Sequence, residues 1–218
     1  MGFLSFVLVS TVEYSAMLLG ILALYRFQIR YSIAPIVVIS LVCSFLSHAL
    51  RIKYEVEMAP VIQLVVLILL FWLMFRVPFI YSCIMIITYF VVYILLQALL
   101  LLMLPAAPWF DEIGLQSLES PETYSMQIIC AAANIAFAWY LQSSGRGFTF
   151  VPNGPSSAFP WKRENLKLFI LIMVGFLVLA ISYYLYVEHF HILVPLVMLT
   201  LGLFIAIFHY SILKEKNQ

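Results

Sequence analysis

The sequence predicts an all-α fold, a polytopic integral membrane helix bundle of about seven transmembrane helices, and three observations carry that prediction. Of 218 residues, 65% are hydrophobic and 10% charged, and mean hydropathy is +1.10, whereas soluble domains use roughly 45–50% apolar residues. The apolar residues gather in seven runs of about the length that 30 Å of hydrocarbon requires. Those runs do not alternate: Val65-Val66-Leu67-Ile68-Leu69-Leu70 is apolar throughout, which argues against a membrane barrel and leaves helices to satisfy the backbone in lipid.

Taken in order, residues 1–218 form one transmembrane domain. The first span, 3–25, has no Lys or Arg before Arg26 and is longer than a signal-peptide core, so it is read as retained. Glu13 lies about ten residues into it and shares a face with Ser10, Ala16, Met17 and Gly20. The second span, 31–50, carries Ser40, Cys43, Ser44 and Ser47 on one stripe, a pattern that lets helix backbones approach closely, with His48 at its outer end. The third, 58–75, is short and holds Gln63; the fourth, 79–104, is long enough to tilt and holds Gln97. In the fifth, 124–142, Cys130, Asn134 and Ala138 share a face. Spans at 167–187 and 190–213 complete the set.

Orientation follows from the positive residues, which stay on the cytoplasmic side during insertion. The 105–123 loop has no Lys or Arg and carries Asp111, Glu112, Glu119 and Glu122, so it is placed outside. The 143–166 loop carries Arg146, Lys162 and Arg163 and is placed inside. Alternation then puts nine of the 11 Lys and Arg inside, with the N-terminus outside and the C-terminus cytoplasmic. Arg51 and Lys53 are the exceptions, in a segment where Glu55 and Glu57 neutralise them. Phe148, Phe150, Phe159 and Trp161 beside basic residues suit a loop along the inner interface, although its Pro, Gly and Ser content also suits a disordered linker. Tyr25, Tyr31, Trp72, Trp109 and Trp161 are expected as interface anchors.

Net charge is +1, which leaves no basic face to follow a phosphate backbone, so nucleic acid is excluded as a partner. Cys43, Cys83 and Cys130 lack metal or disulfide spacing and are read as core. In Glu188-His-Phe-His191 the two histidines do not share a helix face, which favours a solvated turn over a metal site. No metalloprotease, serine-hydrolase, P-loop or dinucleotide motif is present, so no enzyme and no cofactor is expected.

What remains is a set of polar residues in the outer half: Glu13, His48, Gln63, Gln97 and Asn134. An ionisable group at that depth costs about 2.5–3.5 kcal/mol and is a functional hypothesis by default. Glu13 reads as a ligand counter-charge or proton site, or as a carboxyl hydrogen-bonded to a neighbouring helix. A continuous conduit would need polar groups in the inner half too, where Gln142 and His209 stand out. No internal repeat of the transporter kind is evident.

The seven-span layout ending in Lys214-Glu-Lys216, the connection Phe75-Arg-Val-Pro78 and the loop Gly147-Phe-Thr-Phe-Val-Pro152 resemble the membrane sensor region of accessory-gene-regulator-type histidine kinases of Gram-positive bacteria. The resemblance spans nearly the whole chain and implies peptide quorum sensing through the outer loops and upper helices, with signalling by the last helix. The family continues into a phospho-accepting His and an ATP-binding domain that residues 1–218 do not contain, so no kinase activity is carried over. The peptide-processing endopeptidases of such systems match less well, because here Cys43 precedes His48. The expected function is a non-catalytic sensor in the cell membrane, with membrane lipids, an extracellular peptide, and a histidine kinase or second copy as partners. A small-molecule transporter subunit and an accessory assembly protein are the alternatives.

Overall fold

The computed structural model describes residues 3–56, 58–103, 120–151, 166–167, 169–177 and 193–216. Among these residues every regular element is helical and no strand occurs. The elements are α1 (Phe3–Leu24), α2 (Ile33–His48), α3 (Ala59–Phe75), α4 (Phe79–Met103) and α5 (Pro121–Ser143), followed by helical residues within 166–177 and by Leu193–Lys216. The last two are called α6 and α7. Among the described residues four helices are long and apolar enough to cross a membrane: Phe3–Leu24, Ile33–Lys53, Phe79–Leu100 and Pro121–Ser143. Ala59–Phe75 and Leu201–Leu213 are apolar but shorter.

Helix α1 is the central element, packed against α2, α4 and α5; α3 bridges α2 and α4, and α7 lies on α4. The small residues of α1 explain its position. Ser10, Ala16 and Gly20 are all buried and let neighbouring backbones come close where lipid gives no hydrophobic drive between helices. The serine stripe of α2 answers them: Ser44 Oγ donates to the Val7 carbonyl at 2.7 Å, and Ser15 Oγ donates to Ser40 Oγ at 3.0 Å. Cys43, Cys83 and Cys130 are buried and unbridged.

Two helix boundaries depart from the expected ones for local reasons. Helix α5 starts at Pro121, three residues before its apolar run, because Ser120 caps it by accepting from the Thr123 N–H at 3.1 Å. Helix α2 continues past His48 into a π-helical turn, Ala49–Lys53, a widening often found at functional sites. That turn carries Arg51 to Gln63, to whose Oε1 it donates at 3.2 Å. Lys53 lies over the Tyr54 ring, 5.3 Å from its centroid, and Glu57, expected to help neutralise the pair, lies outside the described residues.

The aromatic residues of the inner end also depart from expectation. Tyr25, expected as an interface anchor, is 2% exposed, and Phe148 and Phe150 are buried against protein. Tyr31 and Trp72 do face outward. Trp109, Phe159, Trp161 and the Glu188–His191 turn lie outside the described residues.

Candidate functional site

A cavity of about 300 Å³ opens between α1, α3, α4, α5 and the π-helical turn. Its polar lining comes from Glu13 and Tyr14 of α1, Ser47 and Arg51, Gln63 of α3, Tyr93 and Gln97 of α4, and Gln127 of α5. Leu64, Leu67, Phe90, Ile94 and Phe176 supply apolar wall. The size is at the small end of ligand pockets, and a few polar groups set in apolar surface is their usual composition.

Two hydrogen-bond chains organise the polar groups. In one, Gln97 Nε2 donates to Tyr93 Oη at 3.0 Å, and the Tyr93 hydroxyl donates to Glu13 Oε1. Because Tyr93 already accepts from Gln97, its own proton is directed at the carboxylate, and the chain ends on an acceptor. In the other, Tyr14 Oη donates to Gln63 Oε1 at 2.9 Å, and Arg51 Nη2 donates to the same oxygen at 3.2 Å. Arg has donors only, so the Gln63 atom facing it must be the oxygen, and the amide orientation is fixed.

That orientation leaves the Gln63 Nε2 donor without a partner among the described residues, on a side chain that is 4% exposed. Arg51 Nε and Gln127 Oε1 are likewise buried and unpartnered. Leaving such a group unmet costs about 1–3 kcal/mol each. Three of them lie on the lining of one cavity.

The chain matches no protein-family model, no curated protein and no solved structure.

The five polar residues singled out in the sequence do not form one group. Glu13, Gln63 and Gln97 line the cavity. Asn134 lies one layer inward, 1% exposed and fully engaged: Tyr89 Oη donates to its Oδ1 at 2.7 Å, and its Nδ2 donates to the Cys130 carbonyl at 2.8 Å. Gly20 makes this layer possible, since a Cβ there would overlap the Tyr89 hydroxyl. His48 is elsewhere, its ring edge-on to Phe3 at 4.7 Å and to Phe6 at 5.4 Å.

Arg51, Tyr93, Tyr14, Ser47 and Gln127 are the lining residues that sequence reasoning missed. Two of them carried a usable signal. Tyr93 is four residues before Gln97 on the same helical face, and Gln127 is on the stripe of Cys130 and Asn134. Arg51 had none, because only the π-helical turn brings it to Gln63.

Inward of the Tyr89–Asn134 layer the bundle closes around rings. Tyr25 meets Phe148 and Phe150, each at 5.8 Å between centroids, and Phe148 meets Phe208 of α7 at 5.3 Å. The Phe148 N–H donates to the Leu24 carbonyl at 2.7 Å, and Arg26 donates to the Gly145 carbonyl. Gly147 permits this approach with φ +141°; a Cβ would come within 2.6 Å of the Leu24 oxygen. Gln142 and His209, the inner-half polar residues, are exposed rather than turned into the bundle. Among the described residues no group of His, Cys, Asp and Glu converges as a metal site.

Proposed function

We propose that the chain is a non-catalytic, receptor-like module of the cell membrane that binds a small extracellular ligand, hydrophobic or peptide in nature, and signals through its last helix. The observation that carries this reading is the cavity with three unpartnered buried polar atoms and apolar walls. Seven spans with the N-terminus outside would put the mouth of the cavity on the extracellular side. The inner layers favour binding over conduction. Below the cavity, Tyr89, Asn134 and Gly20 interlock, and the Tyr25, Phe148 and Phe150 rings fill the space beneath them. Contact of Phe148 with Phe208 joins that plug to α7, and a ligand preferring one arrangement of the plug would shift α7 with it. A histidine kinase or a second copy of the chain is the proposed recipient of the signal, in line with the family resemblance.

Orientation is tested by single cysteines, Ser117→Cys and Ser156→Cys, in a background lacking the three native thiols. An impermeant maleimide is expected to label the first and not the second in intact cells; the reverse result inverts the bundle. Binding is tested with Val61→Cys, on the cavity wall, in nanodiscs with fractionated secreted peptides and small hydrophobic solutes. Saturable protection of this thiol supports the reading. Substrate accumulation in proteoliposomes without equilibrium protection replaces it with the transporter.

A further inference from the structure

The unpartnered atoms of the cavity are sorted by sign. The donors, Arg51 Nε and Gln63 Nε2, belong to the π-helical turn and α3, and the acceptor, Gln127 Oε1, belongs to α5; Glu13 of α1, on the same lining, already accepts from Tyr93. Arg51 and Glu13 line the same cavity, yet each bonds a neutral partner rather than the other: Arg51 holds Gln63 and Glu13 receives Tyr93. The Arg51 guanidinium and the Glu13 carboxyl face one space and are each held by a neutral partner, which leaves room for a molecule between them. A fork of adjacent donors, one of them on a guanidinium, fits a carboxylate. A carboxylate with an amide oxygen fits an ammonium.

We infer that the cavity selects a zwitterion, an apolar amino-acid or short-peptide ligand whose free carboxylate meets Arg51 and Gln63 and whose free ammonium meets Glu13 and Gln127. The inference rests on the binding reading above and narrows it: a peptide blocked at both ends would not satisfy the site. A zwitterionic lipid headgroup has related chemistry, but Glu13 lies about 15 Å along α1 from its outer end, deeper than a headgroup in register with its leaflet. The volume, about 300 Å³, suits one or two residues rather than a long chain.

The test is a series of four probes of nearly one shape: leucyl-leucine, its N-acetyl derivative, its C-terminal amide, and the doubly blocked N-acetyl amide. Each is titrated against the full chain in phosphatidylcholine nanodiscs, with protection of Val61→Cys as readout. Leucyl-leucine is expected to bind at least about tenfold more tightly than either singly blocked form, the cost of one charge-assisted hydrogen bond. Gln63→Glu then replaces the unpartnered donor with a carboxylate oxygen, keeping an oxygen for Tyr14 and Arg51 and adding a negative charge. It should weaken leucyl-leucine by at least about tenfold and should not weaken the amide, which has no carboxylate to repel. Equal affinity of all four probes overturns the inference and leaves the sensor reading standing. Tightest binding by a singly blocked probe shows a site for one charge and also overturns it. If no probe protects the thiol, the inference fails, and the sensor reading fails too only if the secreted fractions also give no protection. Repeating the titration in phosphatidylethanolamine nanodiscs separates the sources, since competition there assigns the site to a lipid instead.

Discussion

The two halves of this bundle solve the problem of packing helices in lipid differently. Around Glu13, side chains from six elements bring polar groups to a space they do not fill, and three of those groups stay unpartnered among the described residues. Around Phe148, about three helical turns along α1 from Glu13, the rings of Tyr25, the 145–151 segment and α7 meet one another at 5.3 to 5.8 Å. The inner half gains stability from packing. The outer half gives some of it up, since a buried donor without an acceptor lowers stability by about 1–3 kcal/mol. Apolar packing needs only shape and is tolerant of which residue supplies it, whereas an unmet polar group is a cost that a ligand can offset. Close ring packing thus marks the half around Phe148 and unmet polar groups the half around Glu13, with Tyr89 and Asn134 as the boundary.

The largest expected effect breaks the inner half. Phe148 is 4% exposed, touches Tyr25, Phe150 and Phe208, and follows the glycine that lets its N–H reach Leu24. Phe148→Ala should cost about 3–5 kcal/mol, since fixed backbone on both sides prevents the space from collapsing. Thermal denaturation in detergent should show a lowered Tm, while binding to the cavity at low temperature stays within about threefold of the parent. A comparable loss of binding without a drop in Tm would show that the inner half is part of the site.

A smaller effect is expected at the boundary. Gly20→Ala places a methyl group on the Tyr89 hydroxyl, forcing the ring away from Asn134 and breaking a 2.7 Å hydrogen bond. Overpacking of this kind costs about 1–3 kcal/mol. If the layer separates the halves, Tm should fall and binding should weaken together. Gly20→Ala combined with Tyr89→Phe, which removes the hydroxyl that the methyl meets, should recover part of the Tm. Absence of any recovery would mean that the layer is held by something other than this contact.

The sequence revealed the boundary better than it revealed the cavity, and the reasons are physical. Helical spacing put Ser10, Ala16, Met17 and Gly20 on one face, and all four are buried; the stripe of Cys130, Asn134 and Ala138 is buried as well. Such faces are local, so the 3.6-residue period exposes them. The pairing of Tyr93 with Glu13 spans 80 positions and follows from which helices become neighbours, something no single-helix pattern contains. Arg51 was the least legible. Positive-inside reasoning treated it as an exception to be neutralised nearby, whereas a π-helical turn carries it into the cavity. Phe148 and Phe150 were read as interfacial because aromatic residues beside arginines suit headgroups, yet the left-handed backbone at Gly147 turns the segment into the bundle.

His48 offers the smallest effect and the sharpest limit on the comparison. It belongs to the outer half by sequence, one position after the cavity residue Ser47. Its ring, however, packs edge-on to Phe3 and Phe6 on the opposite flank of α1's first turns, because successive helix residues point about 100° apart. His48→Leu keeps the volume and the apolar contact and removes only the ring geometry, an aromatic-pair contribution of about 0.5–1.5 kcal/mol, at the low end here because Phe3 is 49% exposed. Binding of leucyl-leucine should therefore change by less than about twofold, and Tm should fall only slightly. A tenfold loss of binding would extend the ligand site across α2 to its outer rim. The outer half would then be a broad polar surface rather than the single cavity between Arg51 and Glu13.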